Sequence, residues 1–429
     1  MRILYIAYFY PPIGGAGTQR SAIMVRELRA LGHEVTILTS SLSDLAAFPD
    51  DKTIRENSDQ GISIRRGGEG GIVSWVNWLD VEALPSLRDD EFDVIVLTMS
   101  PFEPALMVMK AARRIGALFV ADLRDPWALD GWREYPSKKS WEADLGRMES
   151  CLSGADMVVM NTPESLIALK ELRVDIPDDR LAVVTNGFSE EDFEGKSDDD
   201  RDQGSFRIRH TGTLHWAVAR AERGLRGKAR RLFRYRPEPI LPGGRTDRFI
   251  SEAIRKLVDS DAIPEHEIRL EFFGIGSNAL SPEGRELRTR GILETSGYIP
   301  HSRSVAALCG ADLLFLPLHG LPPGRRSRII PGKTYEYLRS GRPILGALPA
   351  GDCREIVERL ASDAHVVDPQ DVKGMMQAIL FEFERFKANG RIPDEDRPGL
   401  DRFERSELAS EFAAHLDKIV DRRSGNNAK

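Results

Sequence analysis

Short apolar runs alternate with amphipathic stretches along almost the whole chain, and this alternation limits the fold more than any other feature. Residues 3–8 form a near-continuous apolar run, the pattern of a strand buried on both faces of a parallel sheet. A Gly-rich loop at 11–18 follows. A helix is predicted over 19–31, with Met24, Leu28 and Leu31 on one face and Gly32 at its stop. Further strands are predicted at 35–38, 93–97, 117–121, 157–160 and 181–184, with helical stretches between most of them. That order specifies a doubly wound α/β half.

Asn186-Gly187 is a turn signal, and 189–203 is almost wholly polar and acidic, so a linker is placed at 191–204. A second α/β series then begins, with strands at 206–210, 268–273, 311–316, 343–347 and 365–367. Its helices are predicted at 248–257, 332–340, 354–360 and 372–386. A last helix over 402–420 carries Leu408, Phe412, Leu416 and Ile419 on one face, and a disordered tail is expected at 422–429. The 429 residues suit two such domains, of about 200 residues each. The first is expected at 1–190 and the second at 205–397.

A net charge of −7 argues against a globally basic nucleic-acid binder, so no nucleic-acid partner is expected. The cysteines Cys151, Cys309 and Cys353 are odd in number and widely spaced, which points to neither a disulfide framework nor a zinc site and fits a reducing cytoplasm. The first apolar run is too short for a signal-peptide core, and no stretch approaches the ~20 apolar residues of a membrane span. Asp198 and Asp200 mimic a metal-binding Asp-x-Asp but sit in the polar linker. His210 and His215 are close in sequence without further ligands. No metal and no cofactor are expected.

Two segments carry chemistry. In the first loop, Gly14 and Gly15 stand at a strand-to-helix junction, where glycine lets backbone approach a ligand; a tight turn without a ligand is the competing reading. The spacing is too compressed for the dinucleotide fingerprint. The stronger segment is 330–345. Lys333 follows Gly332 at a predicted helix start, and Glu336 lies one turn on, on the same face. A cation for phosphate and a carboxylate for sugar hydroxyls suit a nucleoside-diphosphate site, against the plainer reading of a solvated Lys–Glu pair. Arg325, Arg326 and Arg328 precede it.

The segment Lys333-Thr334-Tyr335-Glu336-Tyr337 through Gly341-Arg342-Pro343-Ile344 resembles the donor-site signature of retaining GT-B glycosyltransferases of the family-four type. Other stretches agree in order: 11–31 and 33–39, Asn186-Gly187-Phe188, His210-Thr211-Gly212-Thr213-Leu214, Phe273-Gly274-Ile275-Gly276, Gly297-Tyr298-Ile299-Pro300 and 403–417. The resemblance implies the α/β GT-B fold, two Rossmann-like doubly wound domains facing a central cleft. It implies a closing helix at 398–421 that packs back on the first domain. The implied partners are a nucleotide-sugar donor and a glycan or lipid-linked acceptor, as in polysaccharide and cell-envelope synthesis. Glu336 then bonds ribose hydroxyls, while Lys333 and Arg245 neutralise the diphosphate. Gly14, Gly15, Gly212, Thr213, Gly274, Gly276, Tyr298 and Ile299 line the donor.

Two departures stand out. Many relatives carry a second Glu eight positions before Glu336, where this chain has Arg328; that carboxylate usually touches the donor sugar, so Arg328 is assigned to the donor site without fixing the sugar. The loop after Gly212 is long and basic, with Arg220, Arg223, Arg226, Lys228, Arg230, Arg231, Arg234 and Arg236 opposed by Glu222. A disordered insertion is one reading; docking on an anionic membrane surface, which would make the protein peripheral on the inner face, is the other. Asp122 and Asp125 follow a strand end where open α/β sheets bind ligands, so either is a candidate to orient the acceptor hydroxyl, against a salt bridge with Arg124. Trp75, Trp78, Trp127, Trp132 and Trp141 are candidates to stack on sugars or to fill core. A sugar-nucleotide epimerase and an inactive nucleotide-sugar-binding protein are the rival readings.

Overall fold

A computed structural model of the full chain describes residues 1–14, 16–43, 62–172, 174–195, 204–223, 233–390 and 394–427. It divides into two compact units, one of Met1–Gly187 with Arg402–Lys429, the other of Phe188–Asp401. The expected linker falls mostly at 196–203, outside the described residues, as do Gly15, Asp198, Asp200 and the basic residues from Arg226 to Arg231.

In the first unit the strands are β1 (Arg2–Ile6), β2 (Glu34–Ser40), β3 (Ser63–Gly67), β4 (Val94–Met99), β5 (Leu118–Leu123), β6 (Met157–Met160) and β7 (Leu181–Val183). Its helices are α1 (Ala16–Ala30), α2 (Ile72–Trp78), α3 (Ala105–Arg114), α4 (Lys138–Ser153) and α5 (Pro163–Glu171). Among the described residues the strands form one parallel sheet in the order β3-β2-β1-β4-β5-β6-β7. The central strands are buried along nearly their whole length, which is why they read as unbroken apolar runs. Strand β3, at the edge, reads Ser-Ile-Arg-Arg-Gly and is half-exposed, so no apolar run announces it.

The second unit repeats the plan with β8 (Phe206–Thr211), β9 (Ile268–Phe273), β10 (Leu293–Ser296), β11 (Leu313–Pro317), β12 (Ile344–Ala347) and β13 (His365–Val367). Its helices are α6 (Trp216–Arg223), α7 (Arg248–Asp259), α8 (Pro282–Thr289), α9 (His301–Cys309), α10 (Lys333–Arg339), α11 (Asp352–Leu360) and α12 (Val372–Asn389). The strand order is β10-β9-β8-β11-β12-β13, again parallel. In both units the order therefore reverses beside the first strand, between β1 and β4 and between β8 and β11, the point where open α/β sheets bind ligands. Part of the stretch read as a basic loop is helical: α6 buries Trp216 and Ala219 and carries Arg220 outward.

The closing helix α13 (Arg405–Asn427) returns to the first unit, where Leu408, Phe412, Leu416 and Ile419 join the core formed with Met24, Val25 and Leu28 of α1. It runs past residue 421, where a disordered tail was expected, because Arg422 donates to the side chain and carbonyl of Asp179 and Arg423 to the carbonyl of Gly116. Where the chain crosses between units, a Cβ at Gly187 would lie 2.1 Å from the Phe403 carbonyl oxygen, so that close approach requires glycine. Among the described residues no helix is long and apolar enough to cross a membrane.

Leu416 is fully buried in that core. Leu416→Ala is expected to lower stability by about 2–5 kcal/mol, whereas Glu411→Ala, on the exposed face of the same helix, is expected to stay within about 0.5 kcal/mol. Urea unfolding of both variants checks this.

Candidate functional site

Thr211 ends β8 and Gly212 follows with φ +99°, a left-handed conformation that favours glycine. A Cβ at Gly212 would lie 2.4 Å from Lys333 Nζ, so glycine is what lets the ammonium of α10 reach over the end of β8. Lys333 Nζ donates to the Thr211 carbonyl and lies 3.4 Å from His210 Nε2. His210 Nδ1 sits 2.9 Å from the Phe315 carbonyl on β11. That carbonyl only accepts, so Nδ1 carries the hydrogen and Nε2 faces Lys333 as an acceptor. The imidazole thus ties β8 to β11 at the switch point and meets the ammonium with a lone pair.

The neighbouring loops are stitched to the same place. Gly212 N donates to the Phe273 carbonyl at 2.7 Å, and Gly274 N to the carbonyls of Ser296 and Gly297 at 3.1 Å. Gly274, with φ +96°, packs its backbone against Gly212, where a Cβ would come within 3.1 Å. Gly212, Gly274 and Lys333 are therefore brought together. Thr213 and Gly276 are exposed, Ile299 is half-buried, and Tyr298 is about half-exposed.

The electrostatics of this corner are unusual. Burial, and after it the Arg245 guanidinium, holds the Lys333 ammonium well below its ordinary range. Burial likewise lowers Arg245. Neither forms an ion pair with a carboxylate among the described residues; Glu336 acts on Lys333 only through its field. Three imidazoles share the corner, and none of them is favoured as a cation. Burial and then Lys333 push His210 well down. Burial and then Arg245 push His215 to about 4, and burial and then Arg245 push His319 to about 3. Two half-buried, desolvated cations among neutral imidazoles form a seat for an anion, because an anion offsets both the desolvation and the mutual repulsion.

Helix α10 is held at both ends of its face. Tyr337 OH accepts from Thr211 N at 2.9 Å. At its C-terminus the buried Arg397 donates to the carbonyls of Tyr337 (3.3 Å) and Leu338 (2.9 Å), then to Arg342 O (2.7 Å) and Asp363 (3.0 Å). Glu336 is 6% exposed and its Oε1 lies 3.8 Å from His301 Nε2. Arg328 is ion-paired at 3.0 Å with Glu238, and both are largely buried. The pair joins the loop before α10 to the segment that carries Arg245. That segment is also bridged by Leu241 N to Gly320 O at 2.8 Å and the reverse bond at 3.0 Å.

The remaining sequence candidates lie in the first unit. Gly14 is in the loop between β1 and α1. Asp122 is 2% exposed, and the partner it takes is Arg20, not Arg124: Arg20 Nη2 donates to Oδ1 at 2.8 Å and Nε to Oδ2 at 3.3 Å. Arg20 also donates to the carbonyls of Thr185 and Val184, at 2.8 and 3.0 Å. The Asp122 carboxylate is thereby paired within the fold, with Arg20 in the place expected for Arg124. Asp125 is half-exposed, 3.4 Å from Arg124 Nη2. The Arg124 guanidinium lies over the Phe9 ring and against Gly17, where a Cβ would be 1.8 Å from Nη1. Trp75 and Trp127 are core: Trp75 meets Tyr8 edge-on, and Trp127 stacks on Phe102 and donates to Asp144. Sequence reasoning missed His319, Glu238, His301 and Asp192; their partners are distant in the chain, so no local spacing marks them.

Residues 14–187 match the family model of the glycosyl transferase 4-like domain. No curated protein matches the sequence significantly. Among solved structures, the chain is similar to the Anabaena protein HepE in complex with UDP and glucose, with a TM-score of 0.61 at 15% identity over 97% of this chain and 100% of that one. It is similar to the apo form of the lipopolysaccharide outer core galactosyltransferase WaaB, with a TM-score of 0.57 at 14% identity over 97% and 99%. It is also similar to UDP-GlcNAc 2-epimerase from Methanocaldococcus jannaschii, with a TM-score of 0.54 at 13% identity over 97% and 100%. At these identities the likeness to solved structures defines the fold, and the domain match narrows it. The chain has the GT-B fold, and its residues 14–187 match the glycosyl transferase 4-like domain.

An anion arriving at this seat raises the depressed Lys333 toward its ordinary value. In the window between the free and bound values, binding therefore takes up protons; below the free value Lys333 is already charged and uptake vanishes. Calorimetric titration of inorganic pyrophosphate in buffers of different ionisation enthalpy is expected to show proton uptake on the alkaline side, below the ordinary lysine range, that declines on acidification. Heats independent of the buffer throughout would contradict the assignment.

Proposed function

We propose that the chain transfers a sugar from a nucleoside-diphosphate sugar to a hydroxyl of a glycan or lipid-linked acceptor, with retention at the anomeric carbon and without a metal. The observation that carries this reading is the pair of half-buried, desolvated cations, Lys333 and Arg245, at the β8–β11 switch point. Together they supply the positive charge that a departing diphosphate needs, and they are fixed before the reaction begins, so little reorganisation opposes catalysis. Glu336, one turn beyond Lys333, offers a carboxylate to the ribose hydroxyls. HepE has been solved with UDP-glucose, and UDP-sugars are accordingly the first donors to test.

In this mechanism the bond from the anomeric carbon to the diphosphate oxygen breaks while the acceptor oxygen bonds to the same carbon from the same side. The acceptor proton passes to the departing phosphate oxygen. Asp125, half-exposed at the end of β5, is the carboxylate left to orient the acceptor once Asp122 is committed to Arg20. Release of free sugar or an epimer without any acceptor would instead favour the epimerase reading.

Lys333→Ala and Arg245→Ala are each expected to cut donor turnover by about tenfold or more, the scale of one lost charge-assisted hydrogen bond. Activity is expected to survive EDTA. Unchanged kinetics in both variants would remove the donor assignment, and loss on chelation restored by magnesium or manganese would remove metal independence.

A further inference from the structure

The turn that opens the second unit is docked on the donor helix by two side chains directly and by a third through His301 of α9. Glu190–Asp192 forms a single 3-10 turn behind the buried Phe188 and Ser189. Glu190 accepts from Arg339 Nε at 2.7 and 2.8 Å and from Nη2 at 2.6 Å. The same guanidinium lies 5.1 Å over the Phe193 ring. Those contacts seize the C-terminal end of α10. The third contact reaches its functional face: Asp192 Oδ2 is 3.0 Å from His301 Nε2, and that nitrogen is 3.8 Å from Glu336 Oε1.

One imidazole nitrogen thus faces two carboxylates from two different elements. Both carboxylates are acceptors, so Nε2 must carry its hydrogen, and Asp192 at the shorter distance receives it. Asp192 thereby fixes the ring orientation, and the ring in turn presents its positive edge to Glu336 Oε1. The arrangement is sheltered: His301, Asp192 and Glu336 side chains are 12, 25 and 8% exposed. A glutamate at the start of a helix has three rotatable bonds, and a field from one side selects among its rotamers.

We infer that His301, oriented by Asp192, is the positioning residue that aims the Glu336 carboxylate at a vicinal diol, so that the site distinguishes a ribonucleotide from its dideoxy counterpart. This rests on the donor-site reading above and extends it to two residues with no role there. A carboxylate held in one orientation can accept from both hydroxyls of a ribose at once, whereas a rotating one accepts from either in turn. His301 and Asp192 act through Glu336 and do not touch the phosphates, which belong to Lys333 and Arg245.

The test compares inorganic pyrophosphate, the nucleoside diphosphate that binds the wild-type protein best among UDP, GDP and ADP, and the 2′,3′-dideoxy form of that nucleotide. Calorimetry on the full chain is expected to show wild type preferring the ribonucleotide over the dideoxy form by about tenfold. His301→Ala and Asp192→Asn are expected to collapse that preference while leaving pyrophosphate affinity within about twofold. His301→Gln, which keeps an N–H donor, is expected to restore part of the preference. In turnover the His301→Ala loss is expected in donor KM more than in kcat. A ribose preference retained by His301→Ala, or an equal loss for all three ligands, would overturn the positioning role. If His301→Ala does not fold, the same ribose preference in Asp192→Asn and His301→Gln as in wild type overturns it. Wild type binding neither pyrophosphate nor any nucleotide would sink the donor-site reading itself, and this inference with it.

Discussion

The half-buried cations Lys333 and Arg245, neither of them ion-paired to a carboxylate among the described residues, are the constraint around which the second unit is arranged. Either cation alone would be costly away from water, and each raises the cost of the other. The fold tolerates them by surrounding them with groups that add no charge: the Thr211 carbonyl, the His210 lone pair, and the neutral His215 and His319. A carboxylate in their place would relieve the free protein but would compete with any incoming phosphate. The free state is therefore kept unfavourable at this point, and the deficit becomes binding energy when the anion arrives.

Holding that arrangement requires a rigid frame. The reversal of strand order beside β8 leaves room above the sheet, and His210 spans the gap to β11. Gly212 and Gly274 allow three loops to close over the strand ends. Arg397 binds the last carbonyls of α10, and Glu190 binds its Arg339, so the helix that carries Lys333 and Glu336 is fixed at the end away from the ligand. Glu238 and Arg328 lock the segment bearing Arg245 to the loop before α10.

The central strands and the Lys333–Glu336 helix face were legible in the sequence because their signals are local. A strand buried on both faces is an apolar run, and two charges one helical turn apart share a face. Edge strands β3 and β10 were not legible, since Ser-Ile-Arg-Arg-Gly and Leu-Glu-Thr-Ser alternate with solvent. Charges whose partners lie far along the chain were misread or missed. Asp122 suggested an acceptor contact because Arg20 is remote in sequence, and the link from Asp192 to His301 has no spacing at all. Trp127 left sugar stacking and core filling both open in the sequence, and its ring is buried against Phe102.

In the proposed reading the donor is held chiefly by its phosphates, through Lys333 and Arg245. Calorimetric affinities for one nucleoside, its monophosphate and its diphosphate measure this directly. Affinity is expected to rise with each phosphate, with about tenfold or more gained on adding the second. Equal affinity for the nucleoside and the diphosphate would contradict it.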